Sequence, residues 1–200
     1  MDWKHDATEL IRAIDPNYTG PIYLFQRNEV SGFVTVPNRV AAFTTLELSA
    51  RLRPVIENWD GPGFAAVIDD PSTFSTYREL IATIVHEYCH DAIYQTFRDT
   101  EKQESQHTEK PPKPIDLISP ALDGLPPWAG HDASFFRTCI HATYRAQQCG
   151  WLGDILDVIA TPWAYLLSSP FQYQSELGSE PQELLHLSLA EIQDVTPPRS

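Results

Sequence analysis

The chain has 200 residues with 42% hydrophobic and 20% charged content, enough for one domain with a real core. Its net charge of −13 opposes binding to nucleic acid and to anionic membrane, and no basic stripe with interleaved aromatics relieves it. Three cysteines without a C-x-x-C spacing argue against a disulfide framework and a cysteine zinc ribbon; one pair could still form a bridge, but a reduced compartment is the simpler reading. The N-terminus has no basic region followed by an apolar run, and no apolar stretch approaches the ~18 residues of a membrane span. The expectation is a cytoplasmic domain of 200 residues.

In chain order, residues 6–14 predict a short helix with Leu10, Ile11 and Ile14 on one face, ended by Asp15-Pro16. Ile22 to Phe25 predicts a strand. Gly32 to Val36 and Val40 to Thr44 are further strand candidates. Thr45 to Asn58 leans helical despite Pro54. Asp60-Gly61-Pro62-Gly63 is a turn, and Phe64 to Asp69 is a short apolar strand. Two readings of that strand stay open: a plain core strand, or an edge with which an extended substrate pairs. A helix then runs from about 74–76 to Phe97, with Thr76 and Glu79 fitting a capping box and Ser72 or Ser75 as alternative caps. Tyr77, Leu80, Ile81, Ile84, Val85, Tyr88, Ala92 and Ile93 give it a wide apolar face.

Residues 99–114 read as an exposed mobile loop, without an apolar residue before its prolines. His107, within it, is a poor ligand because an ordered site is hard to build there. Another helix begins after Gly130 and runs to about Gln148, where Gly150 is a fitting stop. Residues 151–167 are apolar and broken into two helical pieces by Pro162. Glu180-Pro181 starts a last amphipathic helix through Ile192. Together these pieces predict a helical cover over 151–195, with 196–200 as a frayed tail.

The long helix carries His86-Glu87-Tyr88-Cys89-His90, an H-E-x-x-H stretch. Residues four apart share a helix face, so His86 and His90 can turn toward one metal ion, with Glu87 about 100° round the axis as a base. Five positions with three fixed recur by chance, and a surface helix carrying these residues is the plain alternative. Catalytic zinc takes three protein ligands and an open position. The metzincin extension needs Gly at 93 and His at 96, where this chain has Ile93 and Thr96. The glutamates at 176, 180, 183 and 191 lack the setting of a thermolysin-like third ligand. A third histidine on a later turn remains. His131 stands at the start of the next helix, where it could equally face solvent.

Ile84 to Ala92, followed by Gly130-His131-Asp132-Ala133-Ser134-Phe135, resembles the SprT-like zinc metallopeptidases, a zincin group with a third histidine in an H-x-x-x-F motif. The likeness covers about residues 64–148. It implies an α+β, zincin-like fold, with a small mixed sheet packed on the H-E-x-x-H helix and several further helices. It implies one zinc ion on His86, His90 and His131, with Glu87 as general base, and a protein or peptide substrate. Asp132 stands where the family pattern has glycine, and neither a cysteine ribbon nor a basic surface is present, so only the catalytic core carries over. Tyr144, His141 and Arg137, later on the helix of His131, are candidate donors to an oxyanion. Asp91 and Asp132 adjoin two ligands and are candidates to orient them, although adjacent helix residues point apart. Cys89 is expected to pack inside. A metal-stabilised binding or scaffold domain without turnover, and a zinc hydrolase acting on a non-peptide substrate, are the alternative functions.

Overall fold

The computed structural model describes residues 2–34, 42–44, 48–105, 133–151, 153–159 and 170–196. Its elements are α1 (Trp3–Ile14), β1 (Ile22–Gln26), β2 (Ala42–Phe43), α2 (Leu48–Leu52), β3 (Phe64–Ile68), α3 (Tyr77–Ser105), α4 (Ala133–Gln148), α5 (Ile155–Ile159), α6 (Pro170–Leu177) and α7 (Glu180–Glu183). The architecture is mixed α+β, as the sequence predicts.

The sheet has the order β1-β3-β2. β1 runs parallel to β3, with Ile22 opposite Phe64 and Gln26 opposite Ile68, and β2 is antiparallel to β3. β3 is therefore the central strand, buried at all five residues, and the reading of it as a substrate edge is corrected. Both of its ladders are occupied, and among the described residues β2 forms the edge on that side. Side chains alternate across a strand, so a strand covered on both faces needs an unbroken apolar run. Phe64, Ala66 and Ile68 enter the main core with α1, α3, α4 and α5, while Ala65 and Val67 meet Val30, Leu48 and Leu52 on the other face.

α1 starts on Asp2, whose side chain accepts from the N–H groups of Lys4 and His5, and it buries Trp3, Ala7, Ile11 and Ile14 at helical spacing. Pro54 shortens the predicted helix over 45–58: α2 stops at Leu52 and a 3-10 turn covers Arg53–Val55. α3 opens on a divided cap. Thr76 Oγ1 accepts from Glu79 N–H at 3.1 Å, and Glu79 reaches back to Ser75 N–H at 2.8 Å. α3 buries Leu80, Ile81, Ile84, Val85, Tyr88 and Ala92. It continues to Ser105, so residues 99–105 are helical rather than loop; without proline or glycine, nothing there breaks the helix. The rest of that predicted loop, His107 included, lies outside the described residues.

α4 ends where expected. Gly150 has φ +86°, and the N–H groups of Trp151 and Gly150 return to the carbonyls of Ala146 and Gln147. The final predicted helix is corrected. α7 ends at Glu183, because Arg145 takes the carbonyls of Leu184 and Leu187 at 2.9 and 2.7 Å, and Ser188 with Glu191 caps a separate 3-10 turn over Glu191–Asp194. α6, which the periodicity leaves unmarked, precedes it. The break expected at Pro162 and the tail at 197–200 lie outside the described residues, as do the strand ends at 35–36 and 40–41. Among the described residues no helix is long and apolar enough to cross a membrane.

Candidate metal and catalytic site

His86, Glu87 and His90 lie in the middle of α3, which is fixed from below by its apolar face. Tyr88, between them, points the other way. Its hydroxyl donates to Asp15 Oδ2 at 2.7 Å, and its ring meets Phe64 edge-on at 5.2 Å. Cys89 is buried as expected, beside Cys139 of α4, and both are free thiols. The motif thus sends its two variable residues into the core and its three chemical residues to another face.

The two histidine rings approach at 4.9 Å between centroids. Phe135, the last residue of the second motif, stacks on His90 at 4.2 Å and meets His86 edge-on at 4.9 Å. α4 therefore delivers the aromatic residue of H-x-x-x-F directly onto the pair. His131 itself, with Asp132, lies outside the described residues, and among those described no group of three or more His, Cys, Asp or Glu side chains is gathered for a metal.

His86 Nδ1 lies 2.8 Å from the carbonyl oxygen of Val158 in α5. A carbonyl only accepts, so Nδ1 carries the proton and the neutral ring keeps its lone pair on Nε2. That is the arrangement in which an imidazole binds a metal, its other nitrogen donating to a carbonyl that fixes ring and tautomer, and on this ground His86 is suited to be a zinc ligand.

Glu87 is buried, with the main-chain N–H of Thr44, just beyond β2, near enough to favour its ionised form. Thr44 is itself anchored, its hydroxyl donating to Ala65 of β3 at 2.7 Å. Burial pushes the Glu87 carboxyl up to about 8, with the Thr44 N–H working the other way. Among the described residues no cation is paired with this carboxyl. A divalent cation alongside would favour its ionised form.

The candidate oxyanion donors are corrected. Arg137 Nε donates to Glu180 Oε1 at 2.8 Å, and its Nη1 donates to the carbonyls of Ile192 and Val195. His141 Nε2 is 2.8 Å from the same Glu180 oxygen. Tyr144 lies nine residues after Phe135, about half a turn round α4 from the face that covers the histidines. All three belong to other faces of α4. Asp91 is buried next to His90 and accepts from Gln95 at 2.8 Å.

Sequence reasoning missed Val158 and Tyr94. A main-chain carbonyl leaves no mark in a residue pattern. Tyr94 did leave one, since His86, His90 and Tyr94 fall at i, i+4 and i+8 on one helical stripe. Its ring lies 6.3 Å from that of His90 and nearly parallel to it. No family model, curated protein or solved structure matches this chain.

Proposed function

We propose that the chain is a zinc-dependent peptidase with a zincin-like fold, in which His86, His90 and His131 hold one zinc ion and Glu87 is the general base. The observation that carries this reading is the bond from His86 Nδ1 to Val158, which turns a two-histidine motif into an oriented ligand. The contacts of Phe135 with both rings, stacked on His90 and edge-on to His86, support it, because they tie the second motif to the first.

Zinc, when bound, supplies the Lewis acidity that makes water nucleophilic near neutral pH and polarises a carbonyl. Glu87 is set to take the proton of that water as its oxygen bonds to the peptide carbon. The same proton passes to the nitrogen as the carbon–nitrogen bond breaks, leaving a carboxylic acid and an amine. Thr44 N–H lies beside the Glu87 carboxyl and favours its ionised form. β2, the edge of the sheet among the described residues, ends next to it and suits an extended peptide, which would pair with it by main-chain hydrogen bonds.

The test combines metal analysis with casein cleavage. Wild type binds one zinc per chain, and His86→Ala and His131→Ala lose it. Glu87→Gln keeps the zinc and lowers cleavage by about 10²–10⁴-fold. Equal cleavage by wild type and Glu87→Gln would sink the peptidase reading, and absence of stoichiometric zinc would sink the site.

A further inference from the structure

We propose that the Tyr94 hydroxyl is a catalytic hydrogen-bond donor, placed to bond the carbonyl oxygen of the peptide unit being cleaved. The inference rests on the peptidase reading. Three observations carry it.

The first is position. Tyr94 lies seven residues after Glu87, within about 20° of two full turns, and four after His90. Side chains lean toward the N-terminus of a helix, so Tyr94 leans over the turn that holds His90, back toward Glu87. The ring stacked along His90 agrees with that direction, at 6.3 Å and 20° between planes.

The second is availability. Among the described residues the Tyr94 hydroxyl makes no hydrogen bond. Three other tyrosines spend theirs, Tyr88 on Asp15, Tyr18 on Pro21 and Tyr23 on Gly61, whereas half-buried Tyr144, on another face of α4, leaves its own unspent as Tyr94 does. The half-buried Tyr94 hydroxyl, beside the buried Glu87 carboxyl, is thus open to a bound molecule.

The third is chemistry. A tyrosine hydroxyl ordinarily titrates near 10, well above neutral pH, and can donate a hydrogen bond without giving up its proton. Oxygen charge develops in the transition state of peptide hydrolysis, and a fixed O–H aimed at that oxygen stabilises the transition state more than the substrate. No proton leaves Tyr94 in this role.

Tyr94→Phe tests it, since phenylalanine keeps the stack on His90 and removes only the hydroxyl. The expected result is a kcat for casein cleavage about 10²-fold lower with little change in KM and unchanged zinc content. A second readout needs no turnover. N-phosphoryl-Leu-Trp presents tetrahedral oxygens, whereas Leu-Trp does not. Calorimetry should find that Tyr94→Phe weakens binding of the phosphoryl compound by at least tenfold and leaves Leu-Trp unchanged. If Glu87→Gln is inactive but Tyr94→Phe cleaves and binds like wild type, this inference is overturned and the peptidase reading stands. If Glu87→Gln cleaves like wild type, both fall.

Discussion

Glu87 on α3 and Glu180 at the start of α7 are both buried, and their surroundings are opposite. Glu180 meets the guanidinium of Arg137 and the ring of His141, and these hydrogen bonds hold its carboxyl below the usual range although burial alone would raise it. Glu87 has the N–H of Thr44 beside it and, among the described residues, no paired cation, and burial carries it up to about 8. The difference separates a carboxylate that the fold has neutralised from one that has no such partner among the described residues. Arg145 is also held by the fold: it donates to the carbonyls of Ile14, Leu184 and Leu187, tying α1 and the C-terminal segment to α4.

The strongest way to break this contrast is Glu180→Ala. It leaves Arg137 and His141 buried without their anion and should cost about 3–5 kcal/mol in chemical denaturation, with zinc content unchanged. A similar loss from Glu87→Ala, measured without metal, would erase the distinction between the two carboxylates.

The pH dependence sharpens it. The folded pKa of Glu180 is depressed, so its contribution is fully present above the ordinary glutamate value of about 4.5 and is lost as pH falls through the lower folded value. The gap in melting temperature between wild type and Glu180→Ala should therefore be widest near pH 7 and shrink on acidification below about 4.5. A gap that stays constant down to pH 2 would show that the pair is not what stabilises this segment.

Thr44→Val is a milder test. It removes the hydroxyl bond to Ala65 and keeps the shape, so about 1 kcal/mol of stability should be lost. Thr44→Ser should recover it. The smallest effect belongs to Glu87→Gln in metal-free protein. A carboxyl near 8 is mostly protonated at pH 7, glutamine has the same outline, and stability should change by less than about 1 kcal/mol. Denaturation curves of the two metal-free proteins would check this.

What is legible in the sequence follows local periodicity. α1, β1, β3, the core of α3 and α4 all announce themselves by spacing and by turn residues. The centrality of β3 does not, because strand order depends on β1 and β2 and no local pattern distinguishes a buried centre from a covered edge. The last helix misleads because its apolar spacing is helical, while the side chain that claims its carbonyls, Arg145, lies 39 and 42 residues away. Arg137 and His141 look like free donors for the same reason: their acceptor, Glu180, comes 43 and 39 residues later. The H-E-x-x-H residues are readable as chemistry, since their types and spacing carry it, and Tyr94 is readable in principle as the next member of their stripe.

The His86–Val158 bond also has a consequence in time. Its two partners are 72 residues apart. At a synthesis rate of about 5–20 residues per second, His86 leaves the ribosome roughly 4–14 s before the carbonyl that orients it. Through that interval the motif exists as sequence but without a fixed His86 ring. The orientation arrives with the closing of the C-terminal part of the chain, so a broken or unfinished copy carries His86 without its aim.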